Sequence, residues 1–380
     1  MKTPLDPATA AQVVIWGGLV IGLVFGAVGQ VSRFCIRGAI ADWVGLRSPA
    51  RLLSWMLAVA VACVAVQALI TLQLFEPARA TPWSTRFLWA SYLVGGTAFG
   101  FGMILAGGCP QRSLVKAGSG DLKAVVTLIV TAIAALMTLR GAFAGPRVSL
   151  LDRWSIPLST PQDLGSIASV ALPLPAGMLR WLIALALLAA AAWAVWRHRR
   201  QMGRAHWLGG ILVGLLVPLA YFLTGNIGFI PEHPETLEAA WMGTQSRRPE
   251  ALSFAAPLAH SLDLLTLWSD KGTVASFGVM LALGVLAGSF AISKLRNDFR
   301  LLSFRTPQEL VSHLAGSVLM GVGGVTAVGC SIGNGVTGLA MLSAGATLAV
   351  AGIVAGALLA LRVQQDRSRN TELEFSTRQA

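Results

Sequence analysis

Three of the four cysteines stand at comparable places in the sequence: Cys35 in GQVSRFCIRGAI, Cys109 in AGGCPQRSLVKAGSGD and Cys330 in AVGCSIGNGVTG. Each closes an apolar block and is followed by glycine, proline or small polar residues, which break a helix and leave backbone N–H and C=O groups in need of partners. The cysteines form no CxxC pair and no Cys/His set of metal-ligand spacing, so neither a disulfide framework nor a zinc site is indicated, and no cofactor motif accompanies them. Arg33 and Arg37 flank Cys35, while Arg112 and Lys116 follow Cys109. A cation beside a thiol favours the thiolate and attracts anions. Together these groups point to a guided path for a small anion past thiols. Taken singly, the cations also read as topology signals at helix ends and a lone cysteine as a small buried hydrophobe. Three cysteines at equivalent breaks favour the functional reading.

The neighbours of the thiols supply neutral donors. After Gly108 and Cys109 the chain breaks at Pro110, and glycines recur at Gly118 and Gly120, the pattern of a re-entrant loop leading into a half-helix that contains Gln111. The N-terminus of a half-helix presents free N–H groups and a positive dipole end to an anion. The segment after Cys330 carries Ser331, Asn334 and Thr337 among glycines and no charge. Neutral donors suit an anion that must bind and then leave. Cys63 sits in the unbroken apolar run 56–69 and is read as packing. His313, at the start of a span, is read as a helix-end side chain against a neighbour or headgroups. The loop 226–270, with Glu232, Glu235, Glu238 and Glu250, is read as a solvated excursion.

The elements that position these groups belong to a membrane. Of 380 residues, 55% are hydrophobic and 12% charged, against about 25% charged in soluble domains. Apolar blocks predict nine spans, at 13–31, 52–75, 88–106, 124–139, 181–196, 207–223, 274–292, 310–328 and 339–361. The first is expected to stay in place, because it is longer and less basic at its start than a cleaved signal. The net charge of +12 lies between apolar blocks, not on a soluble face, which favours lipid headgroups over nucleic acid as partners. Counted over these spans, more of the Lys and Arg, including Arg197, Arg199, Arg200 and Arg204, fall on the side opposite the N-terminus, whose side takes Lys2 and Lys271. The positive-inside rule then puts the N-terminus outside and the C-terminus in the cytoplasm.

An internal repeat is visible. Gly17, Gly18 and Gly22 match Gly209, Gly210 and Gly214, and GFGMILAGGC (100–109) aligns with GVGGVTAVGC (321–330). The fold class is therefore all-α: one transmembrane domain with a first repeat over about 13–145, a linking helix at about 178–200, a second repeat at about 205–361 and a tail at 362–380. The single linking span inverts the second copy, an arrangement common in transporters, which bind substrate near the midplane at the repeat interface. In a membrane, broken backbone at such depth survives only when buried in protein or lining a polar cavity.

GQVSRFC, GFGMILAGGCPQRSL and GVGGVTAVGCSIGNG together resemble the YeeE/YedE family of bacterial inner-membrane proteins, over essentially the whole chain. The resemblance implies a nine-helix, hourglass-like bundle and uptake of thiosulfate, relayed by hydrogen bonds past Cys35, Cys109 and Cys330. Arg33, Arg37, Gly108, Gln111, Arg112, Lys116, Ser331 and Asn334 are the further candidates for the path. It also implies a cytoplasmic TusA-like sulfur-carrier protein as a partner; the tail is too short to be one. The alternatives are a permease for a selenium compound or another small sulfur anion, and a membrane thiol sulfurtransferase, which would need paired cysteines or a cofactor site.

Overall fold

The computed structural model describes residues 6–232, 237–270 and 274–379, with side chains to residue 366. Lys2, Lys271 and Glu235 lie outside the described residues. The chain is an all-α bundle. Its first half contains α1 (Pro7–Ser32), α2 (Ile36–Ala41), α3 (Ala50–Thr71), α4 (Trp89–Leu105), α5 (Pro110–Gly118) and α6 (Leu122–Leu139). A single turn, α7 (Ala144–Pro146), and the short α8 (Leu164–Ala171) lead to the linking helix α9 (Ala176–Arg197). The second half contains α10 (Arg204–Phe222), α11 (Ala255–Thr266), α12 (Phe277–Leu295), α13 (Pro307–Thr326) and α14 (Ala344–Gln379). Two two-residue hairpins, Arg86–Phe87 with Ile156–Pro157 and Phe229–Ile230 with Ala240–Trp241, tie loops together at one end.

Among the described residues eight helical stretches are long and apolar enough to cross a bilayer. The expected span 310–328 is the helix α13, 20 residues long but not among those eight. Its first turns carry Gln308, Glu309, Ser312 and His313, the first exposed and the others half-buried, which lowers the apolar character of the helix before it enters the bundle. There it packs between α4 and α6.

Glycine sets the helix seams. Gly18, Gly22 and Gly26 of α1 lie on the backbone of Phe277, Leu281 and Val285 of α12, and Gly284 and Gly288 return the contact to Leu19 and Leu23. Gly96 and Gly100 of α4 meet Ala349 and Ile353 of α14, and Gly352 and Gly356 meet Leu93 and Thr97. A Cβ at any of these would overlap backbone, so small residues let the helices touch main chain to main chain. The register of these contacts also gives direction. α1 runs parallel to α12 and α4 parallel to α14. By contrast, Gly17 faces Leu223 while Ser32 faces Gly209, and Gly95 faces Gly323 while Gly102 faces Gly316. The helices α1 and α10, and α4 and α13, are therefore antiparallel. The pairings are reciprocal too: α1 with α12 mirrors α10 with α3, and α4 with α14 mirrors α13 with α6.

Two ends result. At the basic end, where α1 finishes, lie Arg33, Arg37, Arg51 and Arg296. At the loop end lie the hairpins and a strap in which buried Asp163 accepts from Arg180 Nε at 2.7 Å, caps α8 through Ser166 N and sits beside Ser343 at the start of α14. The loop 226–270 departs from the solvated excursion expected of it. Its second half folds into the body: Leu252, Phe254 and Ala259 are buried, Phe254 packs on Phe25 of α1, and α11 lies against α6. Among the described residues of the loop, the exposed stretches are 231–232, 237–239, 245–248 and 265–270. The prolines and glutamates that punctuate the segment mask an apolar run, ALSFAAPLA, whose burial outweighs them.

Candidate functional site

Each of the three cysteines begins an inner helical segment. Cys35 precedes α2, Cys109 precedes α5, and Cys330 precedes the wide helical turn Gly333–Gly338. In all three the cysteine carbonyl accepts the first helical bond, from Ala39, Ser113 and Asn334 respectively. The thiol therefore occupies the place of a capping side chain, where an oxygen or sulfur faces the N–H three residues on. Gly333 N–H donates to Cys330 Sγ at 3.4 Å. The N–H groups of Gly38 and Arg112 take the equivalent place beside Cys35 and Cys109, outside normal hydrogen-bond geometry. This i to i+3 relation was available in the sequence as C-x-x-G, C-x-x-R and C-x-x-G.

Because α4 and α13 are antiparallel, the segments that follow them enter from opposite ends and meet. Cys109 stands beside Cys35 on one side and Ser331 on the other. Cys109 and Cys330 are fully buried and Cys35 nearly so. Cys35, Cys109, Ser331 and Cys330 thus form a file through the middle of the bundle. Cys63 is not in it: it is buried with Ala184 and Leu342 at the α3–α9 contact, as its packing role requires.

A cavity opens at each end of the file. The cavity at the basic end has a volume of about 470 Å³ and is lined by Cys35 with Arg33, Arg37, Arg51, Arg112, Lys116 and Arg296, against one carboxylate, Asp298. Such a concentration of one sign raises the local concentration of anions. Arg112 and Lys116 also close the frame: Arg112 Nη1 donates to Gly29 O at 3.3 Å and Lys116 Nζ to Gly107 O at 2.9 Å. The helix-end carbonyls thus take part of their donors, and both side chains also line the cavity. The cavity at the loop end, also about 470 Å³, reaches Gly329, Gly333 and Thr337 and is lined by Arg140, Arg147, Tyr221, Glu250 and His260 among others. Its charges are more nearly balanced. Burial raises the Glu250 carboxyl above the usual carboxylate range, opposed by hydrogen bonds from the Ser246 side chain and N–H. Burial also lowers His260, opposed by its contact with Asp263.

The remaining candidates divide. Gly108 is buried and flanks Cys109, and Gln111 lies on the first turn of α5 with Oε1 3.8 Å from Cys109 Sγ. Ser331 is in the file. Asn334 is not a free donor: its Nδ2 donates to Ala327 O at 2.9 Å and to Gly329 O at 2.8 Å, closing the broken end of α13. Thr337 likewise donates to Leu252 O. His313 bonds Glu309 O through Nδ1, and its ring meets Phe304 edge-on, a helix-end placement.

Residues 31–359, which take in all three junctions, match the model of the family described as sulphur transport. The chain belongs to the sulphur transport family. This bears out the resemblance carried by the cysteine motifs, and makes the chain a transporter in class and not an enzyme. Among its relatives, the thiosulfate transporter TsuA of Escherichia coli (strain K12) is 28% identical over 350 residues, covering 87% of this chain and 88% of the relative. The thiosulfate transporter TsuA of Spirochaeta thermophila is 26% identical over 344 residues, covering 88% and 94%.

Proposed function

We propose that this protein carries thiosulfate inward across the bacterial inner membrane, entering at the loop end and passing Cys330, Cys109 and Cys35 to the basic cavity. The observation that carries the reading is the file of thiols between two cavities. Thiosulfate has a soft terminal sulfur, which a polarisable thiol accommodates, and the fixed cations gather at the basic cavity, around Cys35. The six cations at the basic end draw the ion out of the constriction. That end is cytoplasmic on this reading, in keeping with the excess of Lys and Arg on it, and the N-terminus is periplasmic. The exposed basic residues contact lipid headgroups, and a TusA-like sulfur carrier is the proposed cytoplasmic acceptor. Selenosulfate-like ions share the same chemistry and are the alternative cargo. The test is uptake of labelled thiosulfate by the purified protein in liposomes, with sulfate and selenite as competitors. Uptake above empty liposomes, reduced by unlabelled thiosulfate, is expected; its absence in correctly inserted protein overturns the proposal. A stable persulfide on one cysteine during turnover would instead point to a sulfurtransferase.

A further inference from the structure

A thiosulfate-like dianion presents two chemically different ends, and thiols answer only one of them. Its oxygens are hard acceptors that lose several water hydrogen bonds in a buried constriction, and they need N–H or O–H donors in return. Among the neutral donors near the file, Asn334 and Thr337 are already committed to backbone carbonyls, while Arg112 and Lys116 give only part of their donors and Arg37 Nε, at the basic cavity, is also unpaired. Three neutral side-chain donors are not committed. Gln111 Nε2, Ser331 Oγ and Trp55 Nε1 are buried without a hydrogen-bond partner, on residues that are 0%, 1% and 9% exposed. A buried, unpaired donor is rare enough in a folded protein to call for a reason.

Their places supply one. Gln111 has its Oε1 at Cys109 Sγ, which turns Nε2 away, toward Gly29 of α1. Ser331 stands next to Cys109. Trp55, on the second turn of α3, lies along the segment that follows Cys330: a Cβ on Gly335 would fall 2.9 Å from its ring Cζ2 and 3.8 Å from Nε1. By contrast the buried indole N–H of Trp83 is bonded, to Met341 O.

We infer that Trp55, Gln111 and Ser331 form the oxygen-binding half of the constriction, complementing the thiols that face the soft terminal atom. The inference rests on the proposed transport of a sulfur oxyanion. It narrows the ligand class to small anions with oxygens at one end and a soft chalcogen at the other. Ions with only one of these ends, such as sulfate or thiocyanate, satisfy half of the site and bind weakly. All three donors are neutral, so they offset lost hydration without fixing the charge in place.

The test uses the full-length protein and three substitutions that remove a donor with little change of shape and none of charge: Trp55→Phe, Gln111→Met and Ser331→Ala. In each, the apparent KM for thiosulfate in liposomes is expected to rise about tenfold or more, the size of a lost hydrogen bond to a charged group. The maximal rate should stay within about twofold, and the rise in melting temperature caused by thiosulfate should shrink while the melting temperature without it is kept. Parental KM and parental thermal shift in all three variants overturn the inference. If Trp55→Phe fails to fold, Gln111→Met and Ser331→Ala decide alone. Cysteine-to-alanine variants separate this from the transport proposal: uptake lost there but unaltered in the donor variants sinks only the oxygen half, whereas parental uptake in every cysteine variant sinks the thiol path itself.

Discussion

Cys109→Ala is the most informative single change, because Cys109 touches the file on both sides. Its thiol lies between Cys35 and Ser331 and has no exposed surface. The methyl group of alanine leaves a void of about one sulfur, worth about 1 kcal/mol of stability by the usual cost of small buried cavities, so the protein should still fold. For transport the loss is larger. A hydrogen bond to a charged group contributes about 1.5–3 kcal/mol, and a thiol as a weak donor falls at the lower end. Losing it at the narrowest point raises the barrier by about 1.5 kcal/mol, hence about a tenfold slower flux. Cys109→Ser keeps a donor in the same place and should recover most of that factor. Labelled thiosulfate uptake into liposomes at matched protein content reads both. Parental flux in the alanine variant refutes the relay. Background flux in serine and alanine alike refutes hydrogen-bond passage and calls for covalent chemistry at sulfur. Cys63→Ala, outside the file, should transport normally.

Three further outcomes follow from the geometry. Replacing Arg112 and Lys116 together by glutamine should lower uptake several-fold and flatten its dependence on salt at the basic end, read in liposomes with defined internal salt, since two of the six cavity cations are gone; an unchanged salt dependence returns them to a framing role. Asp163→Ala should cost about 3–5 kcal/mol, seen as a large fall in melting temperature, because it leaves Arg180 facing an empty partner in the buried strap; a shift within a degree or two would mean the strap carries little. Glu250 has its carboxyl raised by burial, so the fold favours its protonated form and loses that contribution as pH rises through the raised value. The melting temperature should therefore decline on the alkaline side of the ordinary carboxylate range, and Glu250→Gln should reduce that slope; identical pH profiles would discount Glu250.

Much of this architecture is legible in the sequence. The apolar blocks predict the helices because a bilayer demands continuous hydrophobic length, and the GFGMILAGGC and GVGGVTAVGC match marks the partners α4 and α13 that the glycine contacts show to be antiparallel. The cysteine junctions were equally legible, since a thiol followed by Pro110 or by Gly333 can only end one helix and start another. Other features depend on tertiary partners. Asn334 reads as a donor in sequence, yet its amide is taken by carbonyls that only the end of α13 brings near. Trp55 lies in an apolar run where nothing local distinguishes a lipid-facing indole from one laid against Gly335. The burial of Leu252 and Phe254 depends on meeting Phe25 and the turn after Cys330, far away in the chain.

The glycine seams bear on how fast such a protein can turn over. Where main chain rests on main chain, as at Gly22 with Leu281, Gly100 with Ile353 and Gly102 with Gly316, no flexible side chain remains to slide or re-pack as the surfaces shift. These seams join helices of the N-terminal half to helices of the C-terminal half. A rocking of one half against the other would have to break several of them at once for each ion carried. Motion is least costly in the short pieces capped by the cysteines, whose own helices span only a turn or two. Passage then needs a local yielding on the scale of side chains and single turns, and cross-links placed across the seams should leave throughput intact where they would arrest a rocking carrier.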